Sequence, residues 1–126
     1  MKNNYVILGN RPVELVVEMG LGFCIAEWMP TAGKLANEYG VLIYERAEIN
    51  KSEKPECERT PVNIAKELFE LLKTVEHKDK VILLAHSQGG LYAQQFARLH
   101  LFIIMMAIRR LKLKKSLIVP KVRCMR

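Results

Sequence analysis

The segment that most constrains the fold of this chain is VILLAHSQGG, residues 81–90. It opens with a short apolar run, which is typical of a buried strand, and continues into a segment of helical composition. The strand must therefore turn sharply at Ser87, and a turn this tight needs small neighbours, which Ala85, Gly89 and Gly90 provide. The pattern predicts a strand, then a strained turn with an exposed hydroxyl, then a helix.

The rest of the chain alternates short apolar strands with helical segments. We predict strands at Tyr5–Leu8, Val13–Glu18, Val41–Tyr44 and Val81–Leu84, and helices at Glu27–Tyr39, from Thr60 onward and after Ser87. This alternation predicts an α/β fold in which a parallel sheet is the middle of three layers, α/β/α, because helices cover both of its faces. Ligands of such sheets bind beyond the carboxyl ends of the strands, where we expect Gly20–Gly22, Arg46 and Ser87.

Cap and turn residues set the expected boundaries of these elements. Thr60 is a favourable N-cap, and Pro61 suits the first position of a helix. Gly40 stands where a helix C-terminal stop belongs. The charged residues Lys78–Lys80 are expected to form a turn before the fourth strand.

Charge divides the chain near residue 100. Residues 1–100 carry 12 Lys and Arg and all 13 acidic residues, whereas residues 101–126 carry 8 Lys and Arg and no acid. The sequence therefore predicts a folded region at 1–100 and a basic tail of different character at 101–126. Such a tail is expected to bind polyanions, such as RNA or anionic lipid, weakly and without sequence preference.

The cysteines and apolar stretches indicate a compartment. Cys24, Cys57 and Cys124 are odd in number and far apart, which disfavours a disulfide framework or a zinc site and favours a reduced, cytoplasmic location. The first ten residues do not have the pattern of a signal peptide, and Leu101–Ile108 is far too short to span a bilayer. No pattern predicts a cofactor or a metal.

Ser87 has two interpretations, as the N-cap of an ordinary turn or as a nucleophile. His86, Gln88 and the glycine pair beside it favour the second, because together they match a hydrolase nucleophile elbow. The amide of Gln88, at the start of the next helix, is placed to donate to an oxyanion with the help of the helix dipole. A second donor is expected in Gly20–Gly22, where the amide of Leu21 is our choice.

With these segments the chain resembles the α/β-hydrolase fold superfamily, in its branch of single-domain esterase- and aminopeptidase-like enzymes. The resemblance covers about residues 5–100 and rests on EMGLG at 18–22, EW at 27–28, VLIYER at 41–46 and AHSQGGLY at 85–92. It implies Ser87 as the nucleophile and the backbone amides of Leu21 and Gln88 as the oxyanion hole. It also implies a small ester or amide substrate, and a catalytic acid and then a histidine later in the chain.

The chain departs from the family's pattern in four places. Ala85 replaces the glycine before the elbow, which is tolerable because alanine is small. Two glycines of the family's loop after the third strand are replaced by Glu48 and Asn50, so this loop must run differently or be strained where it needs a positive φ. After His100 the family's next strand gives way to the basic tail, and no acid follows Ser87. These departures predict a chain truncated or frame-shifted after about residue 100.

No other residue is expected to complete a catalytic triad. Asp79 precedes the nucleophile strand at the opposite edge of the sheet, and His77 is expected on the same far side, at the end of the preceding helix. His86 is adjacent to Ser87, but neighbouring side chains on such a turn point apart. His100 would lie about 20 Å from the serine if the helix runs that far. Each is expected to be a solvated surface residue.

The expected function is hydrolysis of an ester or amide through an acyl-enzyme on Ser87, catalytically incomplete in this chain. The alternatives are a non-catalytic binding protein and the product of a disrupted gene. The strand Val81–Leu84 is expected to be an exposed edge that promotes association, because the family's next strand is missing. Leu101–Ile108 is either a replacement strand or an extension of the preceding helix, and Leu117–Val119 is a second candidate strand.

Overall fold

The computed structural model describes residues 2–47 and 49–99, together with the backbone of the strands at 104–108 and 117–119. Strands and helices alternate through the first 99 residues, as the sequence predicts. The elements are β1 (Tyr5–Leu8), β2 (Val13–Glu18), α1 (Ile25–Leu35), β3 (Gly40–Tyr44), α2 (Pro61–Leu72), β4 (His77–His86), α3 (Gly89–Leu99), β5 (Ile104–Ile108) and β6 (Leu117–Val119).

The strands form one sheet in the order β1-β3-β2-β4-β5-β6. β2 lies between β3 and β4 and runs parallel to both. β5 continues the parallel arrangement beside β4, whereas β1 and β6 are antiparallel to their neighbours. The predicted parallel sheet is therefore confirmed for its four central strands, and antiparallel strands lie at both edges.

Helices cover both faces of the sheet. One cluster of buried side chains joins the sheet to α2 and α3, through residues such as Leu68 and Phe96. The second joins the opposite face to α1, through Ala32. β4 shows how one strand serves both layers: Leu83 belongs to the first cluster and Leu84 to the second, as the two-residue period of a strand requires. The three-layer α/β/α architecture is confirmed.

Several boundaries differ from the prediction. Lys78–Lys80 do not form a turn; they belong to β4, and they are exposed in the stretch where the register of β4 against β2 is irregular. α1 ends at Leu35, and Gly40 begins β3 instead of ending a helix. A glycine is required there because a Cβ atom at residue 40 would lie 2.2 Å from the carbonyl oxygen of Pro12.

The helix predicted from Thr60 begins as expected. The hydroxyl oxygen of Thr60 accepts a hydrogen bond from the amide of Asn63 at 3.2 Å, and Pro61 is the first helical residue. The cap satisfies one of the amides that a helix N-terminus leaves without a partner, and proline has no amide to lose there.

The expected exposed edge at Val81–Leu84 is wrong. β5 pairs in parallel with β4, with Ile82 opposite Ile104 and His86 opposite Ile108, so β4 has a neighbour on each side. Of the two alternatives for Leu101–Ile108, the backbone at 104–108 is a strand, in keeping with the preference of isoleucine for strands. The side chains of 101–126 lie outside the described residues, so polyanion binding by the tail stays a prediction.

Among residues 2–47 and 49–99, no helix is long and apolar enough to cross a membrane.

Candidate active site

Ser87 lies in a strained turn between β4 and α3. It is exposed, and its φ of 53° is in the left-handed region, which residues other than glycine, asparagine and aspartate rarely adopt. The turn is closed by a hydrogen bond of 2.9 Å from the amide of Gly90 to the carbonyl of Ser87. The predicted strained strand-to-helix turn is confirmed, with the strand continuing to His86, two residues past Leu84.

The first helical residue after this turn packs against the end of β2. A Cβ atom at Gly89 would lie 2.2 Å from the carbonyl oxygen of Glu18 and 2.7 Å from that of Met19. Only glycine allows the two backbones to approach so closely. The neighbouring Gly90 has open space at its Cβ position, so the two glycines have different roles.

The loop that follows β2 lies directly against the turn. A Cβ atom at Gly20 would be 3.2 Å from the Cβ of Ser87 and 2.8 Å from Nδ1 of His86. The structure thus brings the Gly20–Gly22 segment to the serine, as expected for strands that end at the same edge of a sheet. The side chain of Leu21 is 73% exposed.

His86 is not the solvated surface residue that we expected. Its ring packs edge-on against Phe23, with ring centroids 5.0 Å apart, and against Trp28 at 5.8 Å. Within the described part of the chain, its Nδ1 atom is buried and has no hydrogen-bond partner. The imidazole therefore supports the loop after β2 and is not hydrogen-bonded to Ser87 through that atom.

The other acid–base candidates of the sequence are far from the serine. His77 begins β4 instead of ending a helix. It pairs with Val13 at the start of β2, whereas Ala85 pairs with Glu18 at the end of β2, five residues further, so about 17 Å of strand separates His77 from Ala85. Asp79 is exposed near the same end of β4 as His77. His100 lies outside the described residues.

A buried polar cluster lies beneath the loop, and sequence reasoning did not identify it as a cluster. The side chain of Arg46 is paired with the carboxylate of Glu18 at 2.7 Å, and the hydroxyl of Tyr44 donates to the other oxygen of that carboxylate. Arg46 also donates to the carbonyls of Met19 at 2.7 Å and Gly20 at 3.2 Å. The sequence placed Arg46 at the same edge of the sheet as Gly20–Gly22, but it did not reveal the pairing of Arg46 with Glu18.

Charges in this cluster are set by burial and pairing together. Burial raises the pKa of Glu18, although the guanidinium of Arg46 and the hydroxyl of Tyr44 oppose the rise. Burial acts to lower the pKa of Arg46, but its neighbours Glu18 and Tyr44 more than offset this, so its pKa is raised and the side chain stays cationic. Burial, followed by the charge of Glu18, raises the pKa of Tyr44, which stays a hydrogen-bond donor.

The loop after β3 contains another strained residue. Asn50, at one of the two positions where the family has glycine, has a φ of 48°. Its side-chain amide donates to the carboxylate of Glu45 at 3.2 Å, and Asn4 donates to the same carboxylate at 2.7 Å. The expected strain falls at this residue, and side-chain hydrogen bonds hold the loop. Glu48 lies outside the described residues.

A groove of about 650 Å³ lies elsewhere, between β1, the segment around Pro55 and α2. Its lining includes Tyr5, Arg59 and Lys66, but neither Ser87 nor the loop after β2. The serine sits instead on an exposed part of the surface described here.

Two curated relatives match the chain. This chain is 34% identical over 82 residues to the uncharacterized protein YqjL of Bacillus subtilis, and the match covers 65% of this chain and 32% of YqjL. This chain is also 35% identical over 94 residues to the putative carbamate hydrolase RutD of Stutzerimonas stutzeri, and that match covers 68% of this chain and 32% of RutD. The chain spans about a third of the length of these relatives. No family model matches it.

Solved structures show the same fold. The epoxide hydrolase CorEH superposes with a TM-score of 0.69 at 28% identity, over 76% of this chain and 33% of CorEH. A marine microorganism esterase superposes with a TM-score of 0.74 at 19% identity, over 84% of this chain and 41% of the esterase. Together with the strand order, the strained turn at Ser87 and the relatives above, these matches place the chain: it belongs to the α/β-hydrolase fold superfamily.

Proposed function

We propose that Ser87 is the nucleophile of a hydrolase that cleaves a small ester or amide through an acyl-enzyme. The observation that carries the proposal is the φ of 53° at an exposed serine, in a turn that packs closely against residues 18–20. Strained residues cluster at functional sites, where the surrounding structure holds them in place. A helix N-cap needs no such conformation, since N-cap residues have extended backbone.

Two backbone amides are proposed as the oxyanion hole, those of Leu21 and Gln88. Gln88 directly precedes α3, so its amide lies where the helix dipole favours negative charge. Leu21 follows Gly20, whose backbone passes close to Ser87. Leucine has no donor in its side chain, so the backbone amide is the group that Leu21 can offer to a reacting carbonyl.

We further propose that this chain supplies the nucleophile half of the site and is catalytically incomplete by itself. No acid follows Ser87 in the sequence, and the described residues bring neither His77 nor Asp79 near it. Removing members of a catalytic triad lowers the rate by roughly 10⁴- to 10⁶-fold. Turnover by this chain alone is therefore expected to be negligible.

Turnover and labelling test these two parts separately. Hydrolysis of p-nitrophenyl esters by the chain is expected to equal that by Ser87→Ala. A fluorophosphonate, which modifies serine covalently, is expected to label Ser87 slowly but faster than Ser52, because Ser87 is exposed and has the proposed oxyanion donors beside it. Ser52 is an internal reference, a serine whose hydroxyl is engaged by Asn4 and Glu45.

Peptide mass spectrometry locates the label. Equal labelling of Ser87 and Ser52 would contradict the proposed nucleophile. Clear multiple turnover that Ser87→Ala abolishes would contradict the proposal that this chain is catalytically incomplete, and it would direct the search for a base to His86 and His100.

A further inference from the structure

Arg46 makes an unusual set of contacts for a residue outside the proposed reacting groups. Its guanidinium donates to two successive carbonyls of the loop after β2, those of Met19 and Gly20. We propose that Arg46 is a positioning residue, which fixes the plane of the Gly20–Leu21 peptide and so aims the amide of Leu21. The inference rests on the proposed oxyanion role of that amide.

Peptide geometry links the two ends of this bond. The carbonyl of Gly20 and the N–H of Leu21 belong to one planar peptide, and in a trans peptide they point in opposite directions. Arg46 holds the carbonyl from one side at 3.2 Å, so the N–H points away from Arg46. A cation hydrogen-bonded to a carbonyl also polarises the peptide, which makes its N–H a stronger donor.

Arg46 is itself held rigidly enough for this role. The residue is 8% exposed, its guanidinium is paired with Glu18, and it lies 4.8 Å from the ring centroid of Tyr92. Tyr92 belongs to α3, the helix that begins beyond Ser87. Arg46 therefore connects the end of β2, the loop and the nucleophile helix. Lysine cannot replace it, because one ammonium lacks the planar fork that reaches several acceptors at once.

Amide hydrogen exchange of the 126-residue chain measures the loop directly. Arg46→Met alone would leave Glu18 buried without its partner and is expected to unfold the chain. The test therefore compares Glu18→Gln with the double variant Glu18→Gln/Arg46→Met, which differ in the guanidinium and both lack the carboxylate of Glu18. Exchange in residues 19–23 is expected to be at least about tenfold faster in the double variant, since hydrogen bonds from a charged group are lost.

Arg46→Lys separates positioning from charge balance. A lysine restores the positive charge next to Glu18 but not the paired bonds to the two carbonyls. We expect the thermal stability of Arg46→Lys to be close to that of the unchanged chain. Exchange in residues 19–23 is expected to be as fast as in the double variant, and fluorophosphonate labelling of Ser87 to be slower than in the unchanged chain. If Arg46→Lys restores slow exchange in this segment, Arg46 only balances charge and the inference is wrong.

Arg11→Met is the matched control. Arg11 also donates to two successive carbonyls, those of Glu38 and Asn37, and none of these residues lies in the loop after β2. Its loss is expected to leave exchange in residues 19–23 unchanged. Equal exchange in Glu18→Gln and Glu18→Gln/Arg46→Met would overturn the inference whatever the labelling of Ser87. A third outcome is fast exchange in the double variant together with equal labelling of Ser87 and Ser52 in the unchanged chain. That outcome would support the positioning role of Arg46 and contradict the proposed function of Ser87.

Discussion

Among residues 2–47 and 49–99, two turns contain a residue other than glycine with a left-handed backbone, and they are held in different ways. Ser87 has a φ of 53° and Asn50 a φ of 48°. Around Ser87, a side chain at Gly89 would meet the backbone of Glu18 and Met19, and one at Gly20 would meet the side chains of His86 and Ser87. Asn50 is exposed, and its side-chain amide donates to Glu45.

We interpret the strain at Asn50 as a requirement of the loop's path and the strain at Ser87 as a requirement of the proposed site. Asparagine tolerates left-handed backbone, so Asn50 is a local substitute for glycine in a loop. Serine tolerates it poorly, and the conformation of Ser87 must be imposed by packing from outside the turn. A strained serine whose own side chain is left exposed is the arrangement that a nucleophile needs.

Gly89→Ala is expected to have the largest effect on stability, because it disrupts the packing that holds the turn at Ser87 in its conformation. The new Cβ atom would lie 2.2 Å from the backbone oxygen of Glu18, which cannot move without disturbing β2. We expect the free energy of unfolding to fall by about 3 kcal/mol, as for severe overpacking of a core. Urea denaturation measures this change.

Gly90→Ala is the matched control, one residue further along the same helix. Its Cβ atom meets nothing within 4 Å, and alanine is a better helix former than glycine by about 1 kcal/mol. Stability is expected to stay the same or to rise slightly. Similar losses in the two variants would show that the turn depends on glycine flexibility and not on contact with β2.

Replacing each left-handed residue by glycine is expected to produce changes of opposite sign. Ser87→Gly removes strain of about 1–2 kcal/mol and adds some freedom to the unfolded chain, so a net gain of about 0.5–1 kcal/mol is expected. Asn50→Gly relieves little strain and loses the hydrogen bond to Glu45, so a loss of up to about 1 kcal/mol is expected. Parallel urea denaturation of both variants decides the comparison. Changes of the same sign would mean that the two turns are held alike.

The sequence predicted most of the elements and the turn at Ser87, because these depend on local patterns. The apolar runs marked β1 and β2 at their observed bounds, and Thr60 with Pro61 marked the start of α2. The first part of β4 was missed because its exposed charged residues have the composition of a turn.

The polar cluster could not be predicted because it depends on register between strands. Glu18 meets Tyr44 and Arg46 only because β2 lies beside β3 in one particular alignment. The surroundings of His86 were missed for a similar reason, since Phe23 and Trp28 reach it from a different part of the chain.

The smallest expected effect is a pH dependence that distinguishes the two regions. Burial alone acts to raise the pKa of Glu45, but hydrogen bonds from Asn4, Asn50 and the amide of Ile25 lower it below its ordinary 4.5. A lowered pKa means that Glu45 stabilises the fold fully above pH 4.5, and that this contribution is lost as the pH falls through its folded value. Glu18 behaves oppositely, because burial raises its pKa. Between pH 4.5 and that raised value the folded state holds the extra proton, so the contribution of Glu18 falls as the pH rises.

The free energies of unfolding of the unchanged chain, Glu45→Gln and Glu18→Gln, measured from pH 7 to pH 3.5, test this difference. The advantage of the unchanged chain over Glu45→Gln is expected to shrink as the pH falls below 4.5, since the protonated carboxyl no longer accepts strong hydrogen bonds from Asn4 and Asn50. Relative to the unchanged chain, Glu18→Gln is expected to gain stability as the pH rises above 4.5, because the glutamine never has to ionise in a buried place. If both differences are independent of pH, neither carboxyl titrates differently in the folded and unfolded chains. The hydrogen-bonded turn at Asn50 would then resist acid as well as the packed turn at Ser87.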